Sequence, residues 1–580
     1  MITSRLDAFL NSKMLDRIRS SRNIHVVGIN GTEGAAIAIF LQKLGVSFVA
    51  HDFSEKLKFE RNFKANHFAY SASKREKMLE KIFKFGTLKF PKNYLEGVEK
   101  ADLIFVSQNF EAYSPNEKLK KIFAKNPERF ATITQLYFQI FPGKIIAITG
   151  TNGKSTTAKL IAEIMLASER MSLSAESRVD KKVVQSTTSR QKKLSSRQVD
   201  LSTGQVDLST RQAKFLSRQL DVSSGQPANK SSGKIYFTGN DRRNIQILDS
   251  LEKWKKTDWL VIEVSNRQLK FPLSRAPEIG VITNVSPNHL TEYDGSFSAY
   301  ESGKLSLVAG QKKGDVAILN FDNDSTRTFA KKVKSTPVFY STKSKLASGT
   351  SIDEDWIVHS SECVESTKKL SSGQRVDKNF CPVDNSGCPV DTRICPLDKI
   401  KIIGEHNLSN ILAAVAATNA AGVSAEIICE TIEKFRGIPQ RLEVIFEKNG
   451  VKFVNDSAST TPESTIAALE SFDENSVNLI VGGESKGMNY RELASEIQRR
   501  KARIILLESP LAELLGSELK KEKVAFEVVK NLRDAVKISA SNAGKGEVVL
   551  LSPAAAWFCY FAKKIPLGGR GFGQFAKTFA

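Results

Sequence analysis

The sequence predicts an α/β protein of three domains, each built around a mostly parallel sheet, and three observations carry that expectation. Short apolar runs, many of them ending in Gly, Asn or Asp, recur along most of the chain. Helical stretches separate them, and strand–helix alternation of this kind builds parallel sheets covered by helices. At 580 residues the chain is also too long for one core, since single cores stop growing near about 250–300 residues.

The first domain is expected over residues 1–140. It opens with the apolar run Ile24–Val27, then Gly28, Gly31 and Gly34, an apolar helix to Leu44, a second run at Val46–Ala50, and Asp52. Strand, glycine turn, helix, strand and acidic residue in that order form a Rossmann-like opening. The glycines follow Gly-x-x-Gly-x-x-Gly rather than G-x-G-x-x-G. They speak for a diphosphate at a helix N-terminus more than for a dinucleotide cofactor.

The central domain is expected over 141–435 and the third over 436–580. In the third, the runs Lys452–Val454, Val477–Val481, Arg503–Leu507, Ala525–Val529 and Val548–Leu551 alternate with helical stretches, which predicts a second Rossmann-like sheet. Two segments break the order, at about 169–233 and 341–397. Both carry Ser/Thr/Gln/Gly-rich text repeating about every seven residues, with too few apolar positions to form a coiled-coil seam. Both are expected to be disordered insertions.

Six cysteines do not make a disulfide scaffold. Cys381, Cys388 and Cys395 stand seven residues apart, whereas zinc thiolates usually pair two to four apart, so they are expected to be repeat text rather than a metal site. The net charge of +22 raises nucleic-acid binding as a class. Residues 169–233 alone hold 12 basic and 6 acidic side chains, and the rest of the excess is dispersed without a basic-aromatic module. No nucleic acid partner is expected. No run of about 20 apolar residues and no secretory leader is legible, so the expectation is a cytoplasmic protein without membrane insertion.

The strongest chemical signal follows strand Lys144–Thr149. Gly150, Thr151, Asn152, Gly153, Lys154, Ser155 and Thr156 lie between that strand and a helix, the setting of a phosphate-binding P-loop. Backbone N–H groups there can cradle a triphosphate, Lys154 can neutralise it, and a hydroxyl at Ser155 or Thr156 can ligate Mg²⁺. The central domain is therefore read as a P-loop ATPase domain, although Ile148 stands where the general motif has its first glycine.

Together with this loop, a series of segments resembles the Mur ligase family in order along the chain. TGTNGKST is similar to the family's ATP loop. EVSNRQL (263–269) resembles E-[LV]-S-S-F-Q-L, and NVSPNHLTEY (284–293) resembles N-[IV]-[ST]-x-D-H-[LM]-D-x-[YH]. GEHNLSNILAAVAA (404–417), GIPQRLE (437–443), FVNDSAST (453–460), LIVGGESKG (479–487) and LLSPAAAWF (550–558) continue the series. The best match is the type that adds D-glutamate.

That resemblance implies an ATP-dependent amide ligase joining glutamate to UDP-N-acetylmuramoyl-L-alanine through an acyl phosphate. It implies Mg²⁺, two ions, held by Ser155, Glu263, His289 and a carbamylated Lys304, with Lys154 on the phosphates. Asn407, Asn410, Arg441 and Asp456 would hold ATP; for the two asparagines, helix capping is the plainer reading. Gly28, Gly31, Asp52 and Asn240 would receive the UDP-precursor, although Asp52 also reads as a strand-end turn residue. Thr460 and Lys486 would hold the amino acid, and a monomer is expected.

Several positions depart from the family's pattern. Asn288, Gln440 and Arg242 stand where it has Asp, His and Gly, and Ser107–Gln108–Asn109 replaces S-P-G. Ala458 stands where it has a lysine, and Trp557 near a serine, both in the pocket for the amino acid. A related ligase adding L-glutamate or another amino acid, or a weakened homologue that binds nucleotide and precursor as a scaffold, are the alternatives.

Overall fold

The computed structural model describes residues 13–67, 69–172, 233–239, 246–287, 290–361, 390–484, 488–555 and 568–579. Three sheets carry the chain. The first contains β1 (Ile24–Val27), β2 (Phe48–His51), β3 (Gly86–Lys89), β4 (Leu103–Phe105) and β5 (Phe130–Ala131), ordered β3-β2-β1-β4-β5 and parallel throughout. All four residues of β1 are buried, as expected for a strand covered on both faces. The helix Thr32–Lys43 packs against it with an unbroken buried stretch, Gly34–Leu41.

The second sheet holds β6 (Lys144–Thr149), β7 (Ile235–Thr238), β8 (Trp259–Glu263), β9 (Ile279–Ile282), β10 (Val316–Asn320), β11 (Thr336–Tyr340), β12 (Gly349–Asp353), β13 (Trp356–Ser361) and β14 (Val390–Pro396). Its order is β14-β13-β12-β11-β10-β9-β6-β8-β7. The strands from β11 to β7 are parallel, and β12, β13 and β14 form an antiparallel meander at one edge. The expected insertion at 341–397 is corrected here. Residues 349–353, 356–361 and 390–396 are paired strands, because Ile357, Ile394 and Cys395 are buried in the hydrophobic core beneath them. Residues 362–389 and 173–232, and with them Cys381 and Cys388, lie outside the described residues. Cys395 is not spare repeat text: it is buried in β14, with its Sγ 2.7 Å from Cys429 Sγ on the helix Ala425–Lys434.

The third sheet holds β15 (Glu443–Lys448), β16 (Val451–Asn455), β17 (Val477–Val481), β18 (Arg503–Leu507), β19 (Phe526–Val529) and β20 (Val548–Leu551), ordered β15-β16-β20-β17-β18-β19. All pairs are parallel except the hairpin β15–β16. Its two-residue turn, Asn449–Gly450, has φ of 53° and 77°. Positive φ at both positions is what an Asn-Gly hairpin turn demands, and that dipeptide was the available signal for β15.

Both faces of the central sheet are covered. On one, Tyr300, Leu307 and Val308 join a core shared with the first domain, including Leu136, Phe138 and Phe141. On the other lies the helix Glu405–Ala420, with Ile411, Leu412 and Val415 fully buried among alanines. Each such side chain contributes about 1.5–3 kcal/mol relative to exposure. This packing fixes the C-terminal ends of β6, β8 and β9, where the functional loops begin. Among the described residues no helix is long and apolar enough to cross a membrane.

Candidate active site

β6 ends in the loop Gly150–Gly153, and residues 154–172 are helical. Gly150 has φ +151° and Gly153 φ +82°, and side chains at either would collide with neighbours. A Cβ at Gly150 would lie 1.9 Å from Thr283 Oγ1, and one at Gly153 2.0 Å from Asn410 Oδ1. The loop is fastened to the segment after β9. Thr151 N donates to Asn284 O (2.9 Å), Asn152 N to Asn284 Oδ1 (3.0 Å), Thr283 Oγ1 to Asn152 O (2.5 Å) and Ser286 N to Thr151 Oγ1 (3.0 Å). Thr283, Asn284 and Tyr300, whose hydroxyl lies 3.0 Å from Thr151 Oγ1, were not singled out in the sequence. Asn284 at least opens a segment that was.

Inside this frame the charged groups converge. Ser155 Oγ donates to Glu263 Oε2 at 2.9 Å, bringing the helix start to the end of β8. Lys154 Nζ donates to Gly150 O (2.9 Å) and Thr151 O (2.8 Å). Burial holds its ammonium below the usual lysine value; Glu263 opposes that shift and Arg441 adds to it. Lys304, from the helix Phe297–Ala309, is 1% exposed and donates to Gly150 O at 2.9 Å. Burial, and next the Lys154 charge, lower its pKa to about 7. Its Nζ also sits 4.7 Å from the Tyr300 ring centre.

Asn407 and Asn410 lie on the helix Glu405–Ala420 but do not cap it. The N-cap is Gly404, without a side-chain bond. Asn407 Nδ2 donates back to Ile403 O (2.7 Å), and Asn410 Nδ2 donates to Asn407 Oδ1 (3.2 Å), which leaves Asn410 Oδ1 against Gly153. In the third domain, Asp456 is buried just beyond β16, with Oδ2 accepting from Ser552 Oγ (2.7 Å) and Oδ1 from Leu442 N (3.2 Å). Burial raises its pKa, and Arg441 works against that. The Arg441 charge thus acts on both Asp456 and Lys154, linking the third domain to the loop.

A separate cleft of about 260 Å³ opens in the first domain and includes Gly28, Gly31, Asp52, Gln108, Asn109 and Tyr113 among its walls. Gly28 has φ +80°, and Gly34 packs so close that a Cβ there would lie 2.5 Å from Gly28 O. Asp52 lines the cleft, and its Oδ1 accepts from Ser54 N at 2.8 Å, a strand-end turn. Thr460 is exposed beyond β16. Asn240, His289 and Lys486, with Arg242, Asn288 and Trp557, lie outside the described residues.

The Mur ligase middle domain matches residues 226–418, and the "Mur ligase, glutamate ligase domain" matches 440–555, together just over half of the chain. The UDP-N-acetylmuramoylalanine--D-glutamate ligase of Acetivibrio thermocellus is 27% identical over 576 residues, covering 97% of this chain and 98% of that one. Its namesake in Streptococcus agalactiae is 28% identical over 541 residues, covering 93% and 94%. Among solved structures, the UDP-N-acetylmuramate-alanine ligase of Thermotoga maritima is 16% identical and has a TM-score of 0.49, covering 96% of this chain and 99% of that one. With two of the family's domains matched and relatives aligned from end to end, this chain belongs to the Mur ligase family.

Proposed function

We propose that this protein is an ATP-dependent ligase that joins D-glutamate to UDP-N-acetylmuramoyl-L-alanine, acting in the cytoplasm as a monomer. The convergence at the phosphate loop carries the reading: Lys154 and Lys304 on Gly150 O, beside the Ser155–Glu263 hydrogen bond. A carboxylate does not form an amide at neutral pH unless it is activated. Transfer of the ATP γ-phosphoryl group to the precursor's carboxylate gives an acyl phosphate. The glutamate amine then attacks the acyl carbon, the C–N bond forms, the C–O bond to phosphate breaks, and phosphate and a proton leave.

The residues fit a nucleotide with its metal. The loop is packed so tightly that a Cβ at Gly150 would collide with Thr283 and one at Gly153 with Asn410, and buried Thr149 Oγ1 has no hydrogen-bond partner. The donors are hydroxyl and carboxylate oxygens, the set that suits Mg²⁺. Ser155 and Glu263 would hold it, with His289 and a modified Lys304. When bound, Mg²⁺ offsets the repulsion between triphosphate and carboxylate. Lys154 exchanges its bonds to the loop carbonyls for phosphate oxygens. Asn410 supports the loop from behind, and Arg441 and Asp456 present the third domain's side of the nucleotide.

Carbamylation of Lys304 belongs to this reading, and its burial beside the loop supports it. A buried lysine with a pKa near 7 spends much of its time as a neutral amine. Its Nζ attacks CO₂, the N–C bond forms, a proton leaves, and the cation becomes an anionic oxygen ligand. In the first domain, Gly28, Gly31, Asp52 and Asn240 would receive the UDP moiety, with a helix N-terminus toward the diphosphate. Thr460 and Lys486 would meet the incoming glutamate. Phosphate release with UDP-N-acetylmuramoyl-L-alanine across a panel of amino acids tests the whole reading. Release that requires both the precursor and D-glutamate is expected, and release independent of the precursor would sink it.

A further inference from the structure

Two departures from the family's pattern meet in space. Ser107–Gln108–Asn109 stands in place of S-P-G, and Ser265–Asn266–Arg267 in place of S-S-F. The first follows β4 and lines the first-domain cleft; the second follows β8 and Glu263 in the central domain. Ser265 Oγ donates to Gln108 Oε1 at 2.6 Å, and Arg267 Nη1 donates to Asn109 Oδ1 at 2.5 Å. The same guanidinium forms a fork with Glu292, Nε to Oε2 at 2.9 Å and Nη2 to Oε1 at 2.5 Å. Lys270 Nζ reaches Glu111 Oε2 at 2.9 Å alongside. On the cleft side, Gln108 N donates to Glu33 Oε2 at 3.3 Å, in the first turn of the helix Thr32–Lys43.

Proline and glycine at 108 and 109 offer no side-chain acceptor, and phenylalanine at 267 offers no donor. The Arg267–Asn109 bond therefore exists only because both sites differ from the pattern. Arg267 and Glu292 are 29% and 21% exposed, so the fork is partly shielded from water and holds the guanidinium in one orientation. Arg267 thereby ties three pieces together: its own loop after Glu263, the segment after β9 that carries Glu292, and the wall of the cleft.

We propose that Gln108, Asn109 and Arg267 are positioning residues that hold the first-domain cleft in register with Glu263, so that a precursor seated in the cleft is aimed at the activation site. This rests on reading that cleft as the UDP-precursor site. A wall fixed before the ligand arrives saves ordering cost on binding, so loosening it lowers affinity and misaims the carboxylate. The nucleotide loop is fastened through Thr283 and Asn284, and the Asn109–Arg267 bond makes no contact with either.

The test measures binding of UDP-N-acetylmuramoyl-L-alanine by calorimetry, with KM for precursor and for ATP, in Asn109→Ala, Arg267→Ala, the double variant and Arg267→Lys. Asn109→Ala keeps the Arg267–Glu292 fork and so is the variant safest to fold. We expect each single variant to weaken precursor binding about tenfold, the worth of one charge-assisted hydrogen bond. KM for the precursor rises in parallel while KM for ATP holds. The double variant binds no more weakly than Arg267→Ala, as for two ends of one bond, and Arg267→Lys recovers part of the loss. Unchanged precursor affinity in folded Asn109→Ala and Arg267→Ala overturns the proposal, as do losses that simply add in the double variant. A wild type that binds precursor but forms no amide would instead sink the ligase reading, with the binding comparison still deciding the positioning role.

Discussion

Lys154 and Lys304 donate to the same carbonyl oxygen, Gly150 O, each at 2.9 Å. Each ammonium is held below its ordinary pKa first by burial; the Lys154 charge adds to that at Lys304, and the Arg441 charge at Lys154. Burial, more than the neighbouring charge, is what favours a neutral amine at Lys304.

Lys304 should therefore show its lowered pKa as a pH-dependent stability. Below about pH 7 both folded and unfolded chains carry the proton, and the folded state bears the full penalty of a buried ammonium. Between about 7 and the ordinary 10.5 the unfolded chain binds more protons, so stability rises with pH across that window. Denaturant midpoints between pH 6 and 9 should climb in wild type and flatten in Lys304→Met. A parallel slope in both would refute it.

The same amine should take up labelled CO₂. A carbamate carbonyl signal in ¹³C NMR with ¹³C-bicarbonate, absent from Lys304→Ala, is the expected result. Lys304→Ala should be nearly inactive and partly rescued by acetate. Full activity of that variant would remove Lys304 from the site.

Lys154→Ala should lose about 10²–10³ in turnover, the usual cost of deleting a preorganised electrostatic contact to a reacting phosphate. Its fold should persist, because the removed charge is a buried cation beside another cation. Removing it should also raise the pKa of Lys304, visible as a shift of the stability window toward higher pH. Turnover near wild type would overturn the assignment of the loop.

Deletion of 173–232, bridged by a short Gly/Ser linker, should leave activity and thermal midpoint nearly unchanged. The two ends of the segment are already brought together, since Ile235 N donates to Glu169 Oε2 at 3.3 Å. A large drop in either quantity would show that the repeat text contributes to folding.

The amino-acid panel should favour D-glutamate, with weaker binding than a second lysine would allow. Ala458 offers no cation, and a lost charge-assisted bond costs about 1.5–3 kcal/mol. Lys486→Ala should weaken glutamate further. A preference for alanine or lysine over both glutamate enantiomers would contradict this acceptor.

Much of this protein was legible in local sequence. Five of the third sheet's six strands follow their apolar runs to within a residue or two, and for central strands such as β17 and β20 the reason is that a strand buried on both faces must be largely apolar. The phosphate loop was equally legible, because its glycines, lysine and hydroxyls are contiguous and lie between a strand and a helix. Tertiary structure alone decided what depends on residues distant in the chain. It placed β12–β14 at the sheet edge from text that resembles an unstructured repeat, because pairing partners and an apolar face are supplied by other segments. It set the burial that lowers Lys304, which no sequence window contains. It also brought Asn109 to Arg267 across 158 positions, because a hydrogen bond needs its two atoms within about 3 Å, and only the docking of two sheets puts them there.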